Sequence, residues 1–357
     1  MKNKQKRKAF SVELSKRKEL ILSSVVEFYI ETGEPVGSKY LMSVLPIAVS
    51  SATIRNEMAE LAELGYLEQP HTSAGRIPSP LGLRYYVDKL LRTAAPSSSE
   101  MLRISSSIDH FEGDAGVILS EACEVLSELT GTLALATTPT YPDAVITNVQ
   151  LLPIGTRSAL VVFSTSAGVF RSRMAKLQTD ADYELFELFY NVCAANVIGM
   201  GAASLTKAFE QTLTLSLGAR ALDIAPLLVS LFEAIGESAQ ADVIVKGQTR
   251  LLASPLSADA PKIIELTTKK EPMLRLLSDT ADGPKLKISS ETGHACLRDA
   301  ALISSPYQAG ENASGAIAVI APTKTDYAHI VPLVKYVSDV VGGLITGNLE
   351  ADSRKDG

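Results

Sequence analysis

The chain has 357 residues, of which 46% are hydrophobic and 21% charged; that is enough apolar surface for two or three folding units, and it excludes bulk disorder or a fibrous repeat. Three widely separated cysteines, Cys123, Cys193 and Cys296, exclude a disulfide scaffold and paired-cysteine zinc sites, and fit a reducing, cytoplasmic setting. The net charge of -6 conceals a split, with +4 on residues 1–92 and -10 on the remainder, so a basic end is joined to an acidic body.

Lys2, Lys4, Lys6, Arg7, Lys8, Lys16, Arg17 and Lys18 crowd the first 18 residues against Glu13 alone, which makes them a polyanion-binding arm or a solvated tail. The charged residues between Glu13 and Glu27 break any apolar core of a signal peptide. No apolar run approaches the ~20 residues of a bilayer crossing, the best being Ala316 to Ala321. A first helix is predicted from Leu14, Ile21, Val25 and Phe28, capped by Ser15 and stopped by Gly33. Ser38 can cap a short second helix that buries Leu41 and ends at Pro46, and Ser50 or Ser51 can cap a third, with Ile54, Met58 and Leu61 inward and a stop at Gly65. Three short helices with a tight turn form a helix-turn-helix pattern, although any small helical core shows the same spacing.

A helix turns ~100° per residue, so Ala52, Asn56, Ala59 and Glu63 face out when Ile54, Met58 and Leu61 face in, with Thr53 and Arg55 on their flanks. Asn56 can read adenine through its paired donor and acceptor, and Arg55 can reach guanine or phosphate. Ser50, Ser51 and Thr53 can hold phosphates, and Lys39 is a further backbone contact. Glu57, Glu60 and Glu63 make the later turns repellent to phosphate, leaving the N-terminal half as the reading end. Beyond Gly65, extended runs at 66–68 and 76–78 flank a polar tip and predict a hairpin, or wing, whose His71, Gly75 and Arg76 are candidate DNA contacts. Ser79 and Pro80 open another helix through Leu91, and residues 93–103 begin with an Ala, Pro and Ser-rich linker.

The body begins with a helix from Ile118, Ala122, Val125 and Leu129, followed by strands at 133–137, 145–152, 159–165 and 169–174. Helices follow around Leu185, Phe189 and Val192, then around Ile224, Leu228, Leu231 and Ile235. Strands resume at 243–245, 285–289 and 315–321, and a helix through Tyr327, Ile330, Val334, Val337 and Val341 closes the chain. That order makes the chain a multidomain α+β protein with a sheet domain interrupted by a helical insertion, whose apolar helix faces serve as core or as interface. No phosphate-binding Gly-rich loop occurs, His294 and Cys296 have no matching second pair for zinc, and no local catalytic triad can be assembled. The expectation is a protein that is not an enzyme and needs no cofactor or metal.

Three runs, Tyr29 to Lys39, Val49 to Leu61 and Leu64 to Pro78, together with Arg84-Tyr85-Tyr86-Val87-Asp88, closely resemble the HrcA family of bacterial heat-inducible transcription repressors. Ala318 to Tyr327 looks like the family's second signature, with Ala321, Lys324 and Thr325 where the family usually has Gly, Arg and Met. The resemblance implies a homodimer that binds an inverted-repeat operator called CIRCE upstream of chaperone genes, loses it on heat stress, and is regulated by the GroEL chaperonin. It also implies a winged helix-turn-helix over 1–92, a linker at 93–103, a GAF-like domain over 104–177 and 247–347, and a dimerising insertion over 178–246. The competing expectation is a metabolite-sensing regulator that uses the GAF-like body as a ligand receptor, and a double-stranded DNA partner is common to both.

Overall fold

The computed structural model describes residues 14–71, 74–108, 115–141, 143–278, 283–310 and 313–353, with only the backbone of 219 and 348–353 considered. The basic residues Lys2 to Lys8 therefore lie outside the described residues. Among the described residues, the first unit holds helices α1 (Lys16–Thr32), α2 (Ser38–Val44) and α3 (Ser51–Glu63), then a two-stranded antiparallel hairpin of β1 (Leu67–Glu68) and β2 (Ile77–Pro78). Ser15 caps α1 and Gly33, at φ 75°, ends it, as the sequence predicts. Ser38 does not cap α2; Gly37 occupies that position, and the Ser38 hydroxyl instead meets Ser51 Oγ at 3.0 Å, tying α2 to the start of α3. Helix α4 (Pro80–Tyr85) runs into a π-helical turn, Tyr86–Leu90, where one uninterrupted helix is predicted.

The predicted linker is shorter than expected, because α5 (Ser98–Ile108) starts inside it. Ser97 and Glu100 form a capping box: Ser97 Oγ accepts from Glu100 N at 3.3 Å, and a Glu100 carboxylate oxygen accepts from Ser97 N at 2.7 Å. Ile104 and Ile108, one turn apart, are fully buried. The same carboxylate accepts from Ser97 Oγ at 2.6 Å, and its other oxygen stands 2.5 Å from His329 Nε2. The serine bonds first, then the histidine, hold the Glu100 carboxyl at about 2. A carboxyl lowered in the folded state stabilises above its unfolded value of about 4.3, and that contribution is lost as pH falls toward 2. Urea midpoints at pH 6 and pH 3 should therefore differ less in Glu100→Gln than in the wild type; an unchanged difference would remove Glu100 from the acid response.

Helix α6 (Ala115–Thr130) leads into β3 (Leu133–Thr137), then β4 (Ile146–Gly155), β5 (Ser158–Thr165) and β6 (Phe170–Lys176). Next come α7 (Tyr183–Asn196), α8 (Lys207–Ser216), α9 (Ala221–Ser238) and β7 (Val243–Lys246). The chain continues through α10 (Gln248–Leu252), α11 (Ala260–Thr268), α12 (Lys270–Leu277), β8 (Lys285–Ile288), β9 (Ala300–Gln308), β10 (Ser314–Pro322) and α13 (Tyr327–Ser353). These strands make two antiparallel sheets, one ordered β7-β3-β10-β9-β8 and the other β4-β5-β6.

Side-chain alternation assigns the five-stranded sheet two apolar faces. Ala134, Ala136, Ile303, Ile317 and Val319 face a core shared with α6, α13 and the first unit, while Leu133, Leu135, Leu302, Ala318 and Ile320 face α10 to α12. Strands covered on both sides lose the polar alternation of an exposed sheet, which is why β3 is buried at every position. The small sheet packs on α7 and α9 in a separate core around Phe163, Phe189, Leu228 and Leu231. Strands β4 to β6 thus pack with the helical block and not with the five-stranded sheet, so the boundary expected at residue 177 falls inside one packed unit.

The stretch Tyr327–Gly347 of α13 is long and apolar enough to cross a membrane by length and composition, contrary to the expectation that no run approaches that size. Lys335 and Asp339 interrupt its sequence but pair one turn apart at 2.7 Å. Its Leu333, Val334, Val337 and Val341 are fully buried in the first core.

Candidate nucleic-acid interface

Helix α3 owes its place to three inward residues, Ile54, Met58 and Leu61, and to a cap in which Ser50 Oγ accepts from Thr53 N at 3.1 Å. With those residues inward, Ala52, Arg55 and Asn56 are exposed, as the helical wheel requires. Ser50 Oγ also meets Thr53 Oγ1 at 2.9 Å, and Ser51 is held by Ser38, so the three predicted phosphate holders first of all build the helix start.

A pair of backbone hydrogen bonds ties the hairpin to the turn before α2. Val36 N donates to Arg76 O at 2.8 Å, and Arg76 N donates to Val36 O at 2.9 Å. Gly75 makes this approach possible: a Cβ there would lie 2.2 Å from Val36 O. The contact closes a groove of about 440 Å³ whose lining includes Lys39, Arg55, Gly75 and Arg76. Residues far apart in sequence thereby share one concavity, which also includes Gln69 and Met58, not singled out as site residues from the sequence. The Arg76 Nε is buried without a hydrogen-bond partner. His71 is exposed at the hairpin tip, where its carbonyl accepts from Ala74 N at 2.9 Å; it does not line the groove. Thr72 and Ser73 lie outside the described residues.

Two of the three carboxylates expected to repel phosphate, Glu57 and Glu60, are engaged by cations. Lys18 Nζ of α1 stands 2.8 Å from Glu57 Oε2 and 2.8 Å from Glu60 Oε2, and Arg17 Nη1 stands 3.2 Å from Glu57 Oε1. Bonds to Glu57, then Glu60, raise the Lys18 ammonium above the ordinary lysine range. Two members of the N-terminal basic set, which the sequence left as either a polyanion-binding arm or a solvated tail, are therefore engaged within the protein. The sequence shows Glu57 and Glu60 one turn apart on α3 and a run of three cations at 16–18, but their apposition is a contact between helices about forty residues apart, which helical spacing does not reveal.

The unit is also joined to the body. Arg84 donates to Leu286 O at 2.7 Å, pairs with Asp88, and lies 3.4 Å from Glu291 Oε2. Lys324, in the second signature, sits over the Tyr29 ring with its Nζ 5.0 Å from the centroid. A separate cleft of about 750 Å³ runs between the turn at 167–169 with the start of β6 and Tyr141, Ile118 and Ile244; the guanidinium in it, Arg171, pairs with Asp242 at 3.6 Å.

Residues 116–331 match the family model described as HrcA protein C terminal domain. The chain is 30% identical over 331 residues to the heat-inducible transcription repressor HrcA of Acetivibrio thermocellus, covering 91% of this chain and 94% of that protein. It is 32% identical to the protein of the same name from Desulforudis audaxviator, covering 91% and 96%. A crystal structure described as that of a hypothetical protein at 2.2 Å resolution is 26% identical, with a TM-score of 0.59 over 94% of this chain and 100% of that one.

Proposed function

The chain belongs to the HrcA family of heat-inducible transcription repressors, and from that premise we propose that it represses chaperone genes by placing the exposed face of α3 in the major groove of a CIRCE-type inverted repeat. In this reading the first unit is a winged helix-turn-helix and the β1–β2 hairpin is its wing. The observation that carries it is the convergence of Lys39, Arg55 and Arg76 on one groove beside exposed Asn56. Three cations in one concavity suit a phosphate backbone, and the positive end of α3, with no acid in its first turn, adds to that field. Asn56 has the donor and acceptor pair that adenine matches in the major groove, whereas Lys39, Ser50, Ser51 and Thr53 fit backbone contacts.

Asn56→Ala is expected to cost ~1–3 kcal/mol of discrimination between the operator and single-base variants at the position it reads, with little loss of nonspecific binding. Competition binding against a panel of substituted duplexes checks this; a base preference identical to wild type would remove Asn56 as a reader.

An inverted repeat asks for two readers at fixed spacing, so the active species in this proposal is a homodimer. Supporting it is the outer face of the small sheet, where Leu152, Leu160 and Met174 lie in one cross-strand row and Leu152 and Met174 are 48% and 55% exposed. We assign the dimerising role to the unit built from β4 to β6 and α7 to α9, and the GAF-like role to the five-stranded sheet with its covering helices. Release on heat stress and control by a GroEL-type chaperonin follow from family membership as parts of the same proposal.

A further inference from the structure

Helix α3 carries its candidate reader, Asn56, immediately before an acidic residue, and a second acid follows one turn on. An unpaired carboxylate so close to a phosphate backbone opposes binding, by Coulomb repulsion that water screens only in part. The protein answers from another helix. Lys18 reaches across from α1 so that one ammonium touches both acids at 2.8 Å. The Lys18 and Glu57 side chains are only 18% and 14% exposed, so this pair is less screened than an ordinary surface bridge. Arg17, 50% exposed, adds a weaker contact to the same Glu57.

We propose that Lys18 is a positioning residue for DNA reading: it sets the roll of α3 on α1 and neutralises Glu57 and Glu60, without itself touching phosphate. The inference rests on α3 being the reading helix and adds a residue outside the candidate DNA contacts read from the sequence. A cation held between two carboxylates has no counterion atmosphere of the DNA to release, so its removal should leave the salt dependence of binding intact.

The test uses the full chain and an inverted-repeat duplex, with affinity measured from about 50 to 200 mM salt. Lys18→Met should weaken binding about tenfold or more at every salt concentration, because it leaves Glu60 without its cation and Glu57 with only the half-exposed Arg17 beside the readers. Its slope of log affinity against log salt should equal that of the wild type. The triple variant Lys18→Met, Glu57→Gln, Glu60→Gln should recover affinity to within about threefold, since both carboxylates are removed with their ammonium and only the half-exposed Arg17, which water solvates, loses a partner. A slope shallower by about one unit in the single or triple variant identifies Lys18 as a phosphate contact and overturns the proposal. So does a folded triple variant that binds as weakly as the single one. The triple variant keeps the test open if the single one does not fold. Loss of the α3 reading itself is distinguishable, because it shows in the wild type as an absence of operator preference or of any effect of Asn56→Ala.

Discussion

Gly75→Ala is expected to lower operator affinity about 100-fold or more, equivalent to about 2.7 kcal/mol, while the body keeps its thermal transition. The new methyl would stand 2.2 Å from Val36 O, 2.4 Å from Val36 C and 2.9 Å from Val36 N, and all three are backbone atoms that no side-chain rotation can move. Relief requires the hairpin to leave the turn before α2, breaking the two backbone bonds between Val36 and Arg76. Overpacking of this kind costs ~1–3 kcal/mol or more where the neighbour cannot yield. The lost piece is the wall of the groove that carries Arg76, opposite Lys39 and Arg55. Anisotropy titration and calorimetry on the same preparation check the two halves, and operator binding within threefold of wild type would separate the groove from recognition.

Phe189→Ala is expected to have the largest effect on stability, ~3–5 kcal/mol, because a fully buried phenyl ring leaves a void that the surroundings fill only in part. Phe189 lies in the core formed by β4 to β6 with α7 and α9, which is separate from the two cores on the faces of the five-stranded sheet. Calorimetry should therefore show a low-temperature transition split from the rest. If this unit pairs the subunits, sedimentation should report monomers above that transition, and affinity for an inverted repeat should fall to that for a half-site. A dimer that survives melting of this unit would move the subunit interface elsewhere.

Local chemistry explains why the first unit was legible in the sequence. Caps, stops and inward residues fall within a few positions of each other, so Ser15, Gly33, Ser50, Ile54, Met58 and Leu61 each announce their role. The apposition of Gly75 with Val36 was not legible, because it is a backbone contact between segments about forty residues apart with no pattern in either. Strand β9 escaped for a different reason. It is buried on both faces, so Ala300, Ala301, Ser304, Ser305 and Pro306 show neither alternation nor strong β-branching, yet it pairs with both β10 and β8. Helices α10 to α12 were hidden among Pro255, Pro261 and Pro272, which read as breakers although two of them stand in first turns, where proline is tolerated. The grouping of β4 to β6 with α9 is long-range packing that strand periodicity cannot assign.

In the proposed complex the start of α3 and the hairpin groove together meet duplex DNA. Hydrogen exchange of the full chain, with and without an inverted-repeat duplex at physiological salt, tests it most directly. Bound DNA should slow exchange at 50–56 and 74–76 and leave the five-stranded sheet little changed. Protection confined to the body, with both of those segments exchanging as fast as in the free protein, would contradict it.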